Sequence, residues 1–252
     1  SLNLDSYKKE ITGYDYSKTE TTPKDISGKV NQDTTTIIHY YKKKSSITIK
    51  YVDKYTNKEI DGISSDVINN YYGDSYNTEE NRAEKEKNSI FNNYTYTNEY
   101  VVTPENTSLK GTMNTDTITI SYYYKKKATV TVNYYKEGTT EKLADSDILN
   151  KYYGDKYDVT SYKDNKNIST DYKYVSYTST PENTISGTVS QDTIIVNYYY
   201  VLKTATINIK YLDELTNKSI LNEENIQTKY GVEYSSLNLD SYKKEITGYD
   251  YS

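Results

Sequence analysis

The chain repeats one sequence pattern along most of its length. Residues 45–127 open with SSITIKYVDKYTNKEI and close with DTITISYYYKKK, and residues 128–203 open with ATVTVNYYKEGTTEKL and close with DTIIVNYYYVLK. Residues 204–252 hold the opening part of the pattern, whereas residues 1–44 hold only its later half. Such self-similarity is typical of arrays of small domains. We therefore predict two complete repeats, 45–127 and 128–203, flanked by the C-terminal half of a repeat (1–44) and the N-terminal part of another (204–252).

A second, longer period accompanies the first. The segment SLNLDSYKKEITGYDYS occurs at residues 1–17 and again, unchanged, at residues 236–252, an offset of 235 residues. This offset equals three repeat lengths and predicts a duplicated three-repeat block in a longer parent protein. The phase of the structural unit stays open, because units that begin at residue 1 would make residues 1–235 three whole repeats.

Alternating apolar and polar residues predict β-strands at the start and end of each repeat. The first opening strand places Ile47, Ile49 and Tyr51 on one face and Thr48 and Lys50 on the other. A period of two is typical of a half-buried strand, which β-branched and aromatic residues also favour. With the less regular middle of each repeat, the pattern predicts a four- or five-stranded sheet and one short helix per repeat.

Tyrosine supplies much of the predicted core. The 252 residues include 34 tyrosines, one phenylalanine and no tryptophan, and hydrophobic residues make up only 34% of the chain. A chain so poor in aliphatic residues suits several small domains better than one large enzyme. We expect tyrosine rings to lie in the core with their hydroxyl groups reaching water.

Two local features are predicted between the strands. Each of the three prolines precedes a glycine at one phase of the repeat, which predicts a hairpin before each closing strand, with the glycine in its turn. The pairs are Pro23 with Gly28, Pro104 with Gly111 and Pro181 with Gly187. The charged segment 79–88 predicts one or two helical turns, and the spacing of Leu237, Leu239 and Ile246 fits a short helix.

Composition argues against several functional classes. The net charge is −5 and Arg82 is the only arginine, which disfavours nucleic-acid binding because duplex readers present a basic, arginine-rich face. Cysteine is absent, which excludes disulfides, thiolate nucleophiles and most structural zinc sites. No apolar run approaches a membrane span, and the start at Ser1 without a leader leads us to expect a fragment without membrane insertion.

The order of the motifs resembles the MucBP (mucin-binding protein) repeat of Gram-positive cell-surface adhesins along nearly the whole chain. The matching motifs are Tyr51-Val52-Asp53 and Tyr211-Leu212-Asp213, the turns Gly73-Asp74-Ser75-Tyr76 and Gly154-Asp155-Lys156-Tyr157, and the closing strands after Asp33, Asp116 and Asp192. Two positions depart from the pattern, since Lys136 replaces an aspartate and Val232 follows Gly231 where other repeats have Gly-Asp.

The resemblance implies a mostly β (α+β) chain of tandem, small ubiquitin-like β-grasp repeats arranged as an elongated rod. It also implies a non-enzymatic, extracellular stalk attached to the cell wall of a Gram-positive bacterium, with host glycoprotein or mucin glycans as partners. Short connections between repeats, as in SYYYKKKATVTVNYY, favour the rod. Three other functions remain open: a dedicated carbohydrate-recognition module, the accessory region of a cell-wall enzyme, and a self-associating filament in which half-repeats of neighbouring chains complete each other head to tail.

Tyr40, Tyr123 and Tyr199 are the candidate ligand-binding residues. They fall on the outward face of the predicted closing strands. One interpretation is a row of rings that stack on sugars while their hydroxyl groups form hydrogen bonds. The other is pairing with cross-strand threonine or tyrosine neighbours, which stiffens the sheet. The lysine triplets 42–44 and 125–127 are interpreted as solvated linkers that keep strand edges from pairing.

No constellation for catalysis or metal binding recurs in the repeats. His39 is the only histidine and aligns with Tyr122 and Tyr198, a core-facing strand position, so a Ser–His–carboxylate triad cannot recur. Asp145 and Asp147 are interpreted as part of a solvated variable loop without a counterpart in the preceding repeat, and they lack the spacing of a calcium-binding loop. We therefore predict no enzymatic activity, no catalytic residue, no metal and no cofactor.

Overall fold

The computed structural model describes residues 3–165 and 167–252 and divides the chain into two units. The first unit spans Ser1–Lys127 and the second spans Ala128–Ser252. Strands predominate in both units, as the alternating sequence pattern predicts. The chain is therefore mostly β.

The first unit contains a hairpin followed by a complete repeat. Its strands are β1 (Tyr14–Thr22), β2 (Thr36–Asp53), β3 (Lys58–Glu59), β4 (Asp66–Tyr71), β5 (Ser75–Asn77), β6 (Tyr94–Thr103), β7 (Lys110–Thr112) and the first part of β8 (Thr117–Lys136). The helix α1 (Thr78–Lys85) precedes β6 and overlaps the segment 79–88 predicted to be helical, and short 3₁₀ helices lie at Leu4–Tyr7 and Ser89–Asn93. Asn77 caps α1 by accepting a hydrogen bond from the backbone N–H of Glu79.

The sheet of the complete repeat in the first unit is mixed. Residues 46–53 of β2 pair in parallel with residues 117–124 of β8, and β2 also pairs antiparallel with β4. β6 pairs antiparallel with β8, so the order across the sheet is β4–β2–β8–β6. The first and last strands of the repeat therefore lie side by side in the centre, where each has a partner strand on both edges.

The core of this repeat uses the predicted inward positions. Residues of β2 and β8 form the cluster together with Phe91 and Met113: Ile47, Ile49, Tyr51, Ile118, Ile120, Tyr122 and Tyr124. The aromatic members meet edge to face, as in the pair of Tyr51 and Phe91, whose ring centroids are 5.8 Å apart. Aromatic rings thus fill the volume that a short aliphatic core would leave open.

The lysine triplet 42–44 lies inside β2. Residues 36–43 of β2 pair with β1, and residues 44–49 pair with β4. Lys43 Nζ lies 2.6 Å from Asp116 Oδ1, and Lys44 Nζ lies 2.8 Å from Asp15 Oδ1. The triplet 125–127 likewise lies inside β8. The interpretation of both triplets as solvated linkers is therefore wrong, because the strands continue through them and their backbone groups pair with neighbouring strands.

The second unit contains a complete repeat followed by the opening part of another. Its elements are the last part of β8, then β9 (Lys142–Tyr152), β10 (Lys156–Asp158), β11 (Tyr172–Thr180), β12 (Ser186–Thr188), β13 (Thr193–Leu202), β14 (Thr204–Ile209) and β15 (Glu224–Lys229). β13 pairs in parallel with β8 and antiparallel with β11, and β9 pairs with β8, so the order is β9–β8–β13–β11. This order repeats that of the first unit, and β14 and β15 form a separate two-stranded sheet.

The helix expected near Leu237 and Leu239 is not an α-helix. Two 3₁₀ helices, Tyr234–Leu237 and Leu239–Tyr242, lie there, and a third lies at Thr160–Asp164. Asn238 separates the first two with a left-handed backbone conformation, φ 46°. Ile246 lies beyond them, in a bridge with Tyr249. The apolar residues therefore lie in short turns and not on one face of a helix.

The motif aspartates form turns. Asp53 Oδ1 accepts hydrogen bonds from the backbone N–H groups of Tyr55 and Thr56, and Asp74 Oδ2 accepts one from that of Tyr71. Such side-chain acceptors stabilise the chain reversals after a strand. Where Lys136 replaces the aspartate, the turn instead uses Gly138 at φ 71°. The turn at Lys136 thus forms without the aspartate of the repeat pattern, because Gly138 adopts the left-handed conformation.

Of the three glycines that follow a proline, Gly28 lies in a bend at φ 85°, as predicted, whereas the other two have a different role. Gly111 lies in β7 directly opposite Tyr76, and a Cβ at Gly111 would lie 3.5 Å from the Tyr76 hydroxyl. The positive φ of the preceding turn belongs to Asn106, at 65°. The same arrangement recurs where Gly187 lies opposite Tyr157. At these two positions the glycine leaves room for a tyrosine ring across the ladder.

Candidate functional site

The three candidate tyrosines lie on outward faces but have different neighbours. Tyr40 is 39% exposed, its hydroxyl donates to Glu20 Oε2 at 3.1 Å, and Lys18 Nζ lies 4.9 Å from its ring centroid. Burial is minor at this tyrosine, and the hydrogen bond to Glu20 raises its pKa. Tyr40 is therefore held by polar partners on the neighbouring strand β1.

Tyr199 is the candidate with an aromatic partner. Its ring stacks on that of Tyr135 in the neighbouring parallel strand, with centroids 6.2 Å apart and planes 30° apart. Its hydroxyl lies 3.3 Å from Thr178 Oγ1 on β11. Both tyrosines are half-buried. The pair leaves ring edges and hydroxyl groups towards the outside, which suits contact with a sugar as well as stiffening of the sheet.

Tyr123 has an aliphatic neighbour at the corresponding place. The register sets it beside Val52, which is only 6% exposed, and Tyr123 itself is half-buried. Thr97 Oγ1 donates to the backbone oxygen of Tyr123. The three candidate tyrosines thus share a sequence phase without sharing one local environment.

A row of hydrogen-bonded side chains crosses four strands beside Tyr135 and Tyr199. Ser146 on β9 donates to Asn133 Oδ1 at 2.5 Å, and Asn133 Nδ2 donates to Asn197 Oδ1 at 2.8 Å. Asn197 Nδ2 in turn lies 3.4 Å from Thr178 Oγ1. Sequence reasoning missed this row, although the tetrapeptide VNYY occurs at 132–135 and at 196–199 and could have predicted it. Lys142 Nζ donates to Ser146 Oγ at 2.9 Å, so the result is an amide-lined strip with a lysine at one end, next to two tyrosines.

The inward tyrosine of each opening strand donates its hydroxyl to a carboxylate. Tyr51 donates to Asp66 Oδ2 at 2.8 Å, and Lys85 Nζ lies 2.7 Å from the other oxygen of Asp66. The later repeats use Tyr134 with Asp147 and Tyr211 with Glu224. Burial, and then the hydrogen bond to the acid, raise the pKa of Tyr51. The tyrosine is therefore neutral and acts as a donor.

This arrangement corrects two expectations. Asp147 lies in β9, not in a variable loop, and it has a counterpart in Asp66, because each stands five residues before the first tyrosine of YYGD. Asp145, two residues earlier, also lies in β9. Several core hydroxyl groups meet protein acceptors instead of reaching water, since Tyr198 donates to the backbone oxygen of Val159 at 2.6 Å.

The sequence contains one histidine as a candidate for catalysis or metal binding. His39 is half-buried, and its Nδ1 lies 2.7 Å from Thr19 Oγ1. Within residues 3–165 and 167–252, no group of three or more histidine, cysteine or acidic side chains is placed to hold a metal ion. In the same ranges, no helix has the length and apolar character that crossing a membrane requires.

An open cleft of about 1000 Å³ lies in residues 204–252. Its apolar lining includes Ile207 and Ile209 of β14 together with Leu239 and Ile246. The sequence pattern places these isoleucines at core positions, yet both are only half-buried. The cleft is therefore an incompletely covered apolar face.

Comparison with solved structures adds one match of limited value. The crystal structure of Mub-RV covers 63% of this chain and 99% of its own, at 15% sequence identity and a TM-score of 0.22. At that TM-score the match carries no argument about the fold.

Comparison with known sequences identifies the family. The MucBP domain model matches residues 46–125, 129–201 and 206–252. Internalin J from one strain of Listeria monocytogenes is 30% identical over 243 residues, which cover 90% of this chain and 23% of that protein. Internalin J from a second strain is 30% identical over 230 residues, covering 87% of this chain and 23% of the relative. The chain thus spans about a quarter of the length of these relatives. The family model confirms the order of motifs, and the chain belongs to the MucBP domain family.

Proposed function

We propose that the chain is a non-enzymatic repeat segment of an extracellular adhesin, attached to the cell wall of a Gram-positive bacterium. The observation that carries this proposal is the recurrence of the MucBP domain three times along the chain. The similarity to Internalin J of Listeria monocytogenes supports it, because that bacterial protein contains a segment 30% identical to this chain over 243 residues. We extend the proposal to the predicted boundaries 1–44, 45–127, 128–203 and 204–252.

The mechanical part of the proposal is a stalk of β-grasp repeats. The strand order β4–β2–β8–β6, with the first and last strands parallel in the centre and a helix between the outer two, supports the β-grasp assignment. β2 runs from the half-repeat 1–44 into the next repeat as one strand, which supports a stiff connection at that point. A stalk built this way carries tension through continuous backbone.

The ligand part of the proposal is a mucin-type host glycan held by the outward tyrosines Tyr40, Tyr123 and Tyr199. Tyr199 with Tyr135 offers ring surface and hydroxyl groups, and the neighbouring amide row offers hydrogen-bond donors and acceptors. Sugars are bound by this combination of apolar ring contact and hydrogen bonds. A dedicated carbohydrate-recognition module remains the alternative, and it predicts tight, selective binding by the same face.

The test is retention on mucin-type glycans. The full chain and the double variant Tyr123→Ala/Tyr199→Ala are compared on a glycan array, with Tyr7→Ala, an exposed tyrosine at 57%, as the control. We expect the double variant to lose retention while its unfolding temperature stays within a few degrees of the parent. A lower unfolding temperature, with retention proportional to the folded fraction, would instead assign the rings to stiffening of the sheet.

Self-association is a second candidate function, and the open cleft in residues 204–252 favours it. Exposed apolar faces beside unpaired strand edges are typical association sites. Sedimentation velocity of the full chain over a hundredfold range of concentration tests this function. An unchanged monomer at all concentrations would exclude it.

A further inference from the structure

The hydrogen-bonded row between β9 and β11 runs in one direction. At its start Lys142 Nζ donates to Ser146 Oγ, and Ser146 donates in turn to Asn133 Oδ1. Asn133 Nδ2 donates to Asn197 Oδ1, and Asn197 Nδ2 donates to Thr178 Oγ1. Hydrogen bonds aligned in this way polarise one another. The row therefore begins at a cation and directs its donors towards β11.

Two hydroxyl groups meet at the β11 end of the row. Thr178 Oγ1 lies 3.3 Å from Tyr199 Oη. A hydrogen bond between two hydroxyl groups uses only one of their two O–H donors, whichever group donates. Thr178 is exposed and Tyr199 is half-buried, so a ligand can reach this pair from outside. The pair therefore keeps one O–H donor for an acceptor of the ligand.

The amide side chains beside this donor also keep acceptor capacity. A primary amide has two N–H donors and two lone pairs on its oxygen, and the row uses one of each at Asn133 and at Asn197. Two residues further along the same strands, the rings of Tyr135 and Tyr199 stack with centroids 6.2 Å apart. A hydroxyl donor, amide acceptors and ring surface thus lie together on one sheet face.

The preceding repeat has different side chains at the corresponding positions. There Lys50 stands opposite Ser121, and Val101 stands on the other side of Ser121. Val101, which has no hydroxyl group, takes the place that Thr178 has in the second complete repeat. Val52 stands where a second tyrosine would stack beside the outward tyrosine of β8. The amide row and the stacked pair are therefore features of the second complete repeat.

We propose that this face binds the acetamido group of a 2-acetamido sugar. The carbonyl oxygen of that group carries partial negative charge, which complements the O–H donor left on the pair of Thr178 and Tyr199. Its N–H donates to the open lone pair of Asn197, and its methyl group packs against the rings of Tyr135 and Tyr199. A sugar hydroxyl group at the same carbon supplies no methyl group. This inference rests on the glycan binding proposed above and names the class of sugar and the residues that select it.

Matched sugars test the selectivity. The full chain is applied to surfaces that carry N-acetylglucosamine or glucose, and N-acetylgalactosamine or galactose. The members of each pair differ only in the acetamido group. We expect about tenfold greater retention on the acetamido member, because the plain sugar loses a hydrogen bond and the methyl contact. A preference in one pair alone supports the acetamido contact and identifies the configuration of the sugar that fits the site.

The double variant Thr178→Val/Tyr199→Phe removes both hydroxyl groups and nearly keeps the side-chain volumes. We expect the ratio of retention within each pair to fall to about one. The matched control, Thr119→Val/Tyr100→Phe, removes the same two groups from the preceding repeat and should keep the ratio of the parent. Circular dichroism checks that both variants are folded.

Three results would overturn the inference. A folded Thr178→Val/Tyr199→Phe variant that keeps the acetamido preference would show that these hydroxyl groups do not select the sugar. Equal retention of the parent on both members of each pair, with retention on mucin-type glycans, would overturn the acetamido contact and leave glycan binding standing. Absence of retention on every surface, mucin-type glycans included, would overturn both proposals.

Discussion

At the scale of the residue, tyrosine serves as a core side chain because its hydroxyl group has a fixed partner. Tyr51, Tyr122 and Tyr124 are at most 1% exposed. Tyr122 Oη lies 2.9 Å from Thr78 Oγ1, and Tyr124 donates to Glu86 Oε1 at 2.9 Å. A buried hydroxyl without a partner would cost more than the ring gains. The half-buried carboxylates of Asp66 and Glu86 therefore lie at the edge of the core as acceptors for its tyrosines.

Removing one such hydroxyl tests this role. Tyr51→Phe keeps the ring and deletes the hydrogen bond to Asp66, which is partly buried beside Lys85. We expect a loss of about 1–3 kcal/mol in the free energy of unfolding, measured by urea titration with circular dichroism. The control Tyr7→Phe changes an exposed ring and should leave the midpoint in place. Equal midpoints for both variants would contradict the structural role of the Tyr51 hydroxyl.

At the scale of the element, the turn after the second strand of each repeat depends on one acceptor. Asp74 accepts from the N–H of Tyr71, whereas Val232 occupies the corresponding position in residues 204–252 and has no side-chain acceptor. Val232→Asp should stabilise this part by about 0.5–1.5 kcal/mol, seen as slower limited proteolysis of residues 204–252. Val232→Leu, which adds no acceptor, is the control. If Val232→Asp is cleaved as fast as the parent chain, this turn does not limit the local unfolding of residues 204–252.

The ion pair beside β2 predicts a dependence on pH. The hydrogen bond from Lys43, then that from Tyr72, and then the charge of Lys43 lower the pKa of Asp116 from its ordinary 3.8. The pKa of Asp116 is lower in the folded chain than in the unfolded chain. The ion pair therefore stabilises the folded chain at pH values above about 3.8, and this stabilisation is lost as the pH falls through the pKa of the folded chain.

Asp116→Asn isolates this effect. We expect the variant to unfold at a lower urea concentration than the parent at pH 6, and the difference should shrink as the pH falls below about 4. Asp61→Asn changes an exposed carboxylate in the loop before β4 and serves as the control. A difference between Asp116→Asn and the parent that stays constant down to pH 2 would assign the effect to packing and not to charge. The ion pair of Lys43 and Asp116 is exposed, so the difference in urea midpoint between Asp116→Asn and the parent should be small.

At the scale of the whole molecule, the proposed stalk predicts an extended particle in solution. A compact chain of this length has a radius of gyration near about 18 Å. Repeats joined end to end by strands of ~3.3 Å per residue should give roughly 30 Å or more. Small-angle scattering at low protein concentration measures the difference without interference from self-association. A radius close to the compact value would rule out the stalk.

Several features of this chain are readable from local sequence alone. The strands follow from period-two alternation, since successive side chains of a strand face opposite sides whatever lies beyond them. The charged segment 79–88 overlaps α1, because its residues favour a helix and Asn77 caps it. The amide row and the tyrosine–carboxylate pairs were not predicted, since they join residues far apart in sequence whose register only the assembled sheet sets. The candidate tyrosines were placed outward correctly by alternation, but their partners depend on neighbouring strands.

The duplicated segment shows where local determination ends. LDSY forms a 3₁₀ helix at both Leu4–Tyr7 and Leu239–Tyr242, because its hydrogen bonds connect residues three positions apart. Tyr14–Tyr16 form part of a strand that pairs with residues 41–43 of β2. The identical Tyr249–Tyr251 are not in a strand, and among the described residues Tyr249 forms only an isolated bridge with Ile246. A strand is completed by the backbone groups of its neighbour, so the same residues become a strand only where tertiary structure supplies that neighbour.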